Sequence, residues 1–364
     1  MAKKKMLFSK GNEALAEAAI QAGCRFYAGY PITPQNEIPE YMSRRMPEVN
    51  GVFIQAESEI ASINMVYGAS AAGVRAMTSS SSPGISLKQE GISFLAATEL
   101  PSVIVNIQRG GPGLGNITAS QADYFQAVKG GGHGDYKCIV FSPFNVQEMW
   151  DLTMRAFDKA DEYRMPVIIL GDGVVGQMME PFHPTEYVRP VLPEKDWILD
   201  GCRGREPRVI RSLYMGNGEL EQRNLHLQKK YKLIRKKEVI VDTHDIRDAE
   251  LVVVAFGIAA RVALSAIRDL RQEGKKVGLF RPVTLFPFPE KQLSRLADSK
   301  KRFIVVEMNA GQMVEDVRLA VNGKSEVLFY GRPGGAVFNP EELYQKIKAV
   351  YLRIVKIGNS RLCK

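Results

Sequence analysis

Short, almost wholly apolar runs rich in valine and isoleucine alternate with longer stretches of helical period, and this alternation restricts the fold more than any other feature of the chain. Pro101 to Gln108 and Pro166 to Gly171 are apolar on both faces of an extended backbone, the mark of strands covered above and below, and ELVVVAFG from Glu250 and RFIVVEMN from Arg302 read as further strands. Asn145 to Tyr163 sets Val146, Met149, Leu152, Thr153, Ala156 and Ala160 at helical spacing. Gly11 to Gly23 does the same with Ala14, Leu15, Ala18, Ala19 and Ala22 before a glycine stop. Such alternation predicts an α/β fold with a mostly parallel sheet under helices on both faces. At 364 residues the chain exceeds what one core usually fills, so a second unit is expected.

Between Pro181 and about Asp248 prolines cluster, charge rises and the apolar period weakens, which reads as a linker or an excursion around a neighbour. The expected division is 1–180, then 181–248, a smaller α/β unit over 249–355, and a tail over 356–364. Much of the net charge of +9 sits in LQKKYKLIRKKE, Leu227 to Glu238. With Tyr231 its only aromatic, the run is read as a solvated helix or a partner-facing surface rather than a nucleic-acid site. Cys24, Cys138, Cys202 and Cys363 are too scattered for a cluster or zinc site. Scattered thiols, an apolar start that stops after Phe8, and a longest apolar run that ends at Arg261 lead to a cytoplasmic expectation without a membrane span.

Candidate chemistry centres on Phe53 to Leu87. With Ser58 as N-cap, a helix to about Ala72 lines up Glu59, Ile63, Val66 and Ser70. A carboxylate aimed at apolar neighbours loses hydration, and a ligand nitrogen would supply the donor it then lacks. The helix dipole favours an acidic residue there even without chemistry. In GYPITP, Pro31 and Pro34 stiffen the backbone around Thr33 just after a strand, suiting either a ligand contact or a tight turn. TSSSSPG opens a helix able to hold an anion, but it lacks a Walker ending and does not match GxGxxG, which disfavours a nicotinamide-dependent dehydrogenase. Arg109 ends a buried strand before a glycine-rich loop, placed either to grip a carboxylate in two-point fashion or to serve as a structural salt bridge or a surface arginine. His133 lies in a second glycine-rich loop, GGGHGDY.

GYPITP, QAESEIAS, GAS with TSSSSPG, NIQRGGPGLG and KGGGHGDY, in this order, resemble the alpha subunit of the 2-oxoacid:ferredoxin oxidoreductases. The resemblance implies a thiamine diphosphate pyrimidine-binding domain followed by a smaller transketolase C-terminal-like domain. Glu59 then matches the glutamate that bonds the pyrimidine ring, with Glu57 as competitor, while Thr33 and Arg109 match residues that contact the 2-oxoacid. The family pattern also implies a beta subunit holding the diphosphate and Mg2+, a ferredoxin-like subunit carrying [4Fe-4S] clusters, ferredoxin as acceptor, and coenzyme A as co-substrate. The likeness is nearest to subunits acting on 3-methyl-2-oxobutanoate, with 2-oxoglutarate next. The alternative in another class is an assembly subunit that keeps the fold without the site.

Overall fold

The computed structural model describes residues 6–362, so Cys363 and the basic residues before Met6 lie outside it. The first part runs β1 (Leu7–Lys10), α1 (Gly11–Gln21), β2 (Phe26–Gly29), α2 (Glu37–Arg45), β3 (Val52–Gln55), α3 (Glu59–Ala71), β4 (Ala76–Ser80), α4 (Ser82–Thr98) and β5 (Ser102–Gln108). It continues through β6 (Ile139–Phe141), α5 (Val146–Tyr163), β7 (Pro166–Asp172), α6 (Gly173–Gln177) and β8 (Met179–Phe182). After a long irregular stretch come α7 (Glu219–Lys237), β9 (Val241–His244), β10 (Leu251–Val254), α8 (Gly257–Gln272), β11 (Val277–Pro282) and β12 (Thr284–Phe286). The chain closes with α9 (Glu290–Asp298), β13 (Arg302–Glu307), α10 (Met313–Val321), β14 (Val327–Gly331) and α11 (Pro340–Leu362).

Seven strands form the larger sheet in the order β12-β6-β7-β5-β4-β2-β3, parallel except for β12. Strands β5 and β7 are buried along their whole length, as their unbroken apolar runs require. The helices α1 and α5 present small and apolar faces to the sheet; Asn145 caps α5 by accepting the Glu148 N–H at 2.8 Å. The second sheet, β14-β13-β10-β11-β9, is parallel but for β9 at its edge.

Four features depart from the sequence reading. The strands β1 and β8 pair with each other in a two-stranded ribbon, β6 is only three residues long, and none of the three carries a period long enough to recognise. Strand β9 lies within the stretch expected to be linker, yet it extends the second sheet. Strand β12 follows β11 directly but joins the other sheet, which no local pattern announces. Helix α7 is not simply solvated. Leu227, Tyr231 and Ile234 form a buried stripe, and Arg223, His226 and Lys230 converge on Glu99. Burial works against the Glu99 charge, but these cations hold its carboxyl down to about 2.

The two sheets are tied through buried polar groups. Asp172, at the end of β7, accepts the Val174 and Val175 N–H groups on one oxygen and the Ile258 N–H at 2.9 Å on the other, so a single carboxyl caps α6 and α8. Gly257 has φ +51, and a Cβ there would lie 2.8 Å from Asp172 Oδ2; only glycine fits. Gln121 adds a link, donating to the Phe256 carbonyl at 2.8 Å and accepting the Met308 N–H at 3.1 Å.

Candidate active site

Adjacent strands β5, β4, β2 and β3 end together, and the loops from their carboxyl ends carry Arg109, Ser80 to Ser82, Thr33 and Glu59. The chain leaves β2 toward β3 but leaves β4 toward β5, so the winding reverses between β2 and β4, the usual ligand position in open α/β sheets.

Glu59 is the first residue of α3. Ser58 caps that helix by accepting the Ala61 N–H at 3.1 Å, and the stripe Glu59, Ile63, Val66 and Ser70 is buried as its spacing predicts. Glu57, two residues earlier, is exposed, which separates the two acidic candidates. The Glu59 carbonyl takes the Ser62 hydroxyl at 2.9 Å and the Lys88 ammonium at 3.4 Å, whereas among the described residues no donor meets its carboxylate. Opposite stands Gly84 in the first turn of α4. A Cβ on Gly84 would lie 2.5 Å from Glu59 Oε1 and still closer to Ser80 Oγ, so only glycine lets α4 pass this close to the carboxylate. Ser80 Oγ and Ser81 Oγ are buried without partners beside it.

Arg109 is neither a surface arginine nor a member of a salt bridge. It is buried, and it donates from Nη1 to the Thr33 carbonyl at 3.0 Å and from Nη2 to the Leu114 carbonyl at 3.1 Å. Its Nε is buried and unpartnered. The guanidinium therefore joins the YPITP loop to the glycine-rich loop, bringing two candidates separated by 76 positions into contact through Thr33's backbone. Ser82 completes the seat: its hydroxyl accepts the Arg109 N–H at 3.0 Å and donates to Asp123 at 2.6 Å, which also receives Asn106 at 2.9 Å. Behind Thr33, Gln35 Oε1 accepts the Ser79 hydroxyl, itself 2.6 Å from Tyr27 OH. His133 is exposed, 3.5 Å from Ser93 Oγ and edge-on to Phe94.

Sequence reasoning missed Lys88. This residue is fully buried, one turn beyond Gly84 on α4, and burial pushes its ammonium down to about 7 while the Glu59 carboxylate pulls the other way. The signal was the one used for Glu59: Lys88 falls between Ile85 and Ile92 on the apolar line of a helix. Among the described residues there is no cluster of three or more His, Cys, Asp or Glu side chains suited to a metal ion, and no helix long and apolar enough to cross a membrane.

Residues 17–217 match the family described as "Pyruvate flavodoxin/ferredoxin oxidoreductase, thiamine diP-bdg", and residues 249–343 match "Pyruvate:ferredoxin oxidoreductase core domain II". The ketoisovalerate oxidoreductase subunit VorB of Methanothermobacter thermautotrophicus is 52% identical over 94% of this chain and 97% of its own length. The 2-oxoglutarate synthase subunit KorA of Methanocaldococcus jannaschii is 40% identical over 94% and 99%. Among solved structures, a 2-oxoglutarate:ferredoxin oxidoreductase from Magnetococcus marinus, with 2-oxoglutarate, coenzyme A and succinyl-CoA bound, superposes with a TM-score of 0.86 at 26% identity, covering 96% of this chain and 66% of that one. A split gene transketolase shares the fold at a TM-score of 0.59 and 14% identity. By these matches, the chain belongs to the pyruvate flavodoxin/ferredoxin oxidoreductase family, as a subunit of the 2-oxoacid:ferredoxin oxidoreductase kind.

Proposed function

We propose that this chain holds the aminopyrimidine end of thiamine diphosphate with Glu59 and the 2-oxoacid with Arg109 and Thr33, in an enzyme that converts a 2-oxoacid, coenzyme A and oxidised ferredoxin into acyl-CoA, CO2 and reduced ferredoxin. One observation carries the reading: a buried carboxylate that meets no donor among the described residues, held against Gly84 so closely that a methyl group there would collide with it. A ring nitrogen suits that unmet acceptor, since it offers the hydrogen-bonding partner the chain does not. When bound, thiamine diphosphate would supply carbanion stabilisation for decarboxylation. Glu59 would hold or exchange the proton at the pyrimidine nitrogen, and the closed apolar stripe behind it would keep water from competing. The bare Nε of Arg109 would orient the substrate carboxylate, and the Thr33 hydroxyl would meet the keto or carboxylate oxygen.

On the same reading the pyrimidine-binding unit spans 1–180, an excursion 181–248 ends in β9 of the second sheet, and the transketolase C-terminal-like unit 249–355 lends β12 to the first. The diphosphate and Mg2+ belong to a beta subunit and the [4Fe-4S] clusters to a ferredoxin-like subunit, so the chain acts only in assembly, in the cytoplasm. We favour 3-methyl-2-oxobutanoate over 2-oxoglutarate. The relatives named for ketoisovalerate stand at 52% and 51% identity against 40% for a 2-oxoglutarate relative. In addition, Lys88 uses its donors inside the chain and Arg109 is assigned to the first carboxylate, leaving neither free for a second.

The test is turnover of a panel of 2-oxoacids by the reconstituted complex with ferredoxin or a viologen. A kcat/KM for 3-methyl-2-oxobutanoate about tenfold or more above that for 2-oxoglutarate is expected; the reverse order would overturn the substrate assignment. In the same assay Gly84→Ala should lower kcat about 100-fold, because its Cβ displaces the Glu59 carboxylate. Calorimetric titration of that variant with thiamine diphosphate should show weakened binding alongside an unchanged circular dichroism spectrum.

A further inference from the structure

Helix α4 meets α3 along one line of residues. A Cβ on Gly84 would press on the Glu59 carboxylate and one on Gly91 would come within 2.6 Å of Ile63, so both glycines let the helices approach closely. Lys88 lies between them, at spacings of four and three on the same face. Its Nζ reaches three oxygens: Ser62 Oγ, Thr78 Oγ1 at 3.0 Å and the Glu59 carbonyl at 3.4 Å. Three acceptors match the three N–H groups of an ammonium, yet all three are neutral.

Burying a charge is costly, and an apolar side chain of similar size would fill the same space without that cost. The neighbouring elements supply little to neutralise it. Strand β4 offers the Thr78 hydroxyl, β5 has no ionisable side chain, Tyr27 on β2 is bonded to Ser79, and Asp172 on β7 is occupied by backbone N–H groups. Glu59 on α3 is the charge that acts on Lys88.

We propose that Lys88 is the positioning residue for Glu59: its ammonium clamps the first turn of α3 through the Glu59 carbonyl and Ser62, and supplies the positive charge that balances the Glu59 carboxylate in a place closed to water. This rests on the reading of Glu59 as the group that meets the pyrimidine. The clamp fixes where the carboxylate begins, and Gly84 leaves room for where it ends.

Two measurements test it. In the full chain labelled with 13C at lysine Cε, the Lys88 resonance, assigned by its loss in Lys88→Arg, should titrate well below the ordinary lysine range near 10.4. Glu59→Gln should move that midpoint lower by about one pH unit or more, because the attraction holding the proton is gone. In the reconstituted complex Lys88→Met should lower kcat about tenfold with KM for the 2-oxoacid within about threefold, and its melting temperature should not fall. A Lys88 midpoint indifferent to Glu59→Gln, or a Lys88→Met complex with wild-type kcat, would overturn the proposal. If Lys88→Met does not fold, the titration alone decides. Full turnover by the Glu59→Gln complex would instead sink the reading of Glu59, and the titration would still judge the coupling.

Discussion

Replacing Glu59 by glutamine is expected to reduce 2-oxoacid turnover by the assembled enzyme about 10²- to 10⁴-fold, the range lost when a positioned proton-transfer group is removed. Glutamine keeps the size and a hydrogen-bonding oxygen but cannot exchange a proton with the pyrimidine. Ser58 still caps α3, and Ile63, Val66 and Ser70 still bury its stripe, so the fold and the melting temperature should be preserved. Steady-state kinetics with a viologen acceptor, paired with thermal melts, checks both halves. Wild-type turnover would remove Glu59 from the chemistry. The exposed Glu57 serves as the internal control: Glu57→Gln should change turnover by less than about twofold, since it carries its charge into solvent.

The largest expected loss of stability lies outside the candidate site. The buried Arg75 guanidinium donates to Asp161 at 2.8 Å, Asp158 at 2.9 Å, Tyr187 OH at 2.8 Å and the Ala22 carbonyl, and so joins the end of α1, helix α5 and the irregular stretch after β8. Arg75→Leu leaves two carboxylates to share what remains, with Lys195 at 3.0 Å still beside Asp161. Removing one partner from such a network typically costs about 3–5 kcal/mol, because the charges left behind stay buried. Urea unfolding should show a correspondingly lower midpoint, and limited proteolysis should cut faster near Tyr187, which loses its bond from Arg75 and keeps only the one it donates to Asp158 at 2.6 Å. An unchanged midpoint would mean that the aspartates find water or Lys195 without cost.

Much of the fold was legible because its strongest strands are buried on both faces and its helices carry whole apolar stripes. Pro101 to Gln108 and Asn145 to Tyr163 read almost to the residue. What escaped was decided by pairing rather than by pattern: β12 is three residues that join a distant sheet, and β1 exists only because β8 lies beside it. The site followed the same division. Periodicity placed Glu59, and the structure buries it. Arg109 was found as a residue at a strand end, but its bond to the Thr33 carbonyl depends on how two loops meet, which spacing alone does not encode. Lys88 was overlooked because the stretch singled out, Phe53 to Leu87, stops one residue short of it, although the rule that singled out Glu59 applied equally to it.

The exchange of β12 across the molecule limits how the protein can be divided. A fragment ending before the second sheet would bare the β6 edge to solvent, strip Asp172 of its Ile258 donor and deprive Gln121 of both its Met308 and Phe256 partners. Each half thus borrows a strand or a helix cap from the other, and neither is finished until both are present.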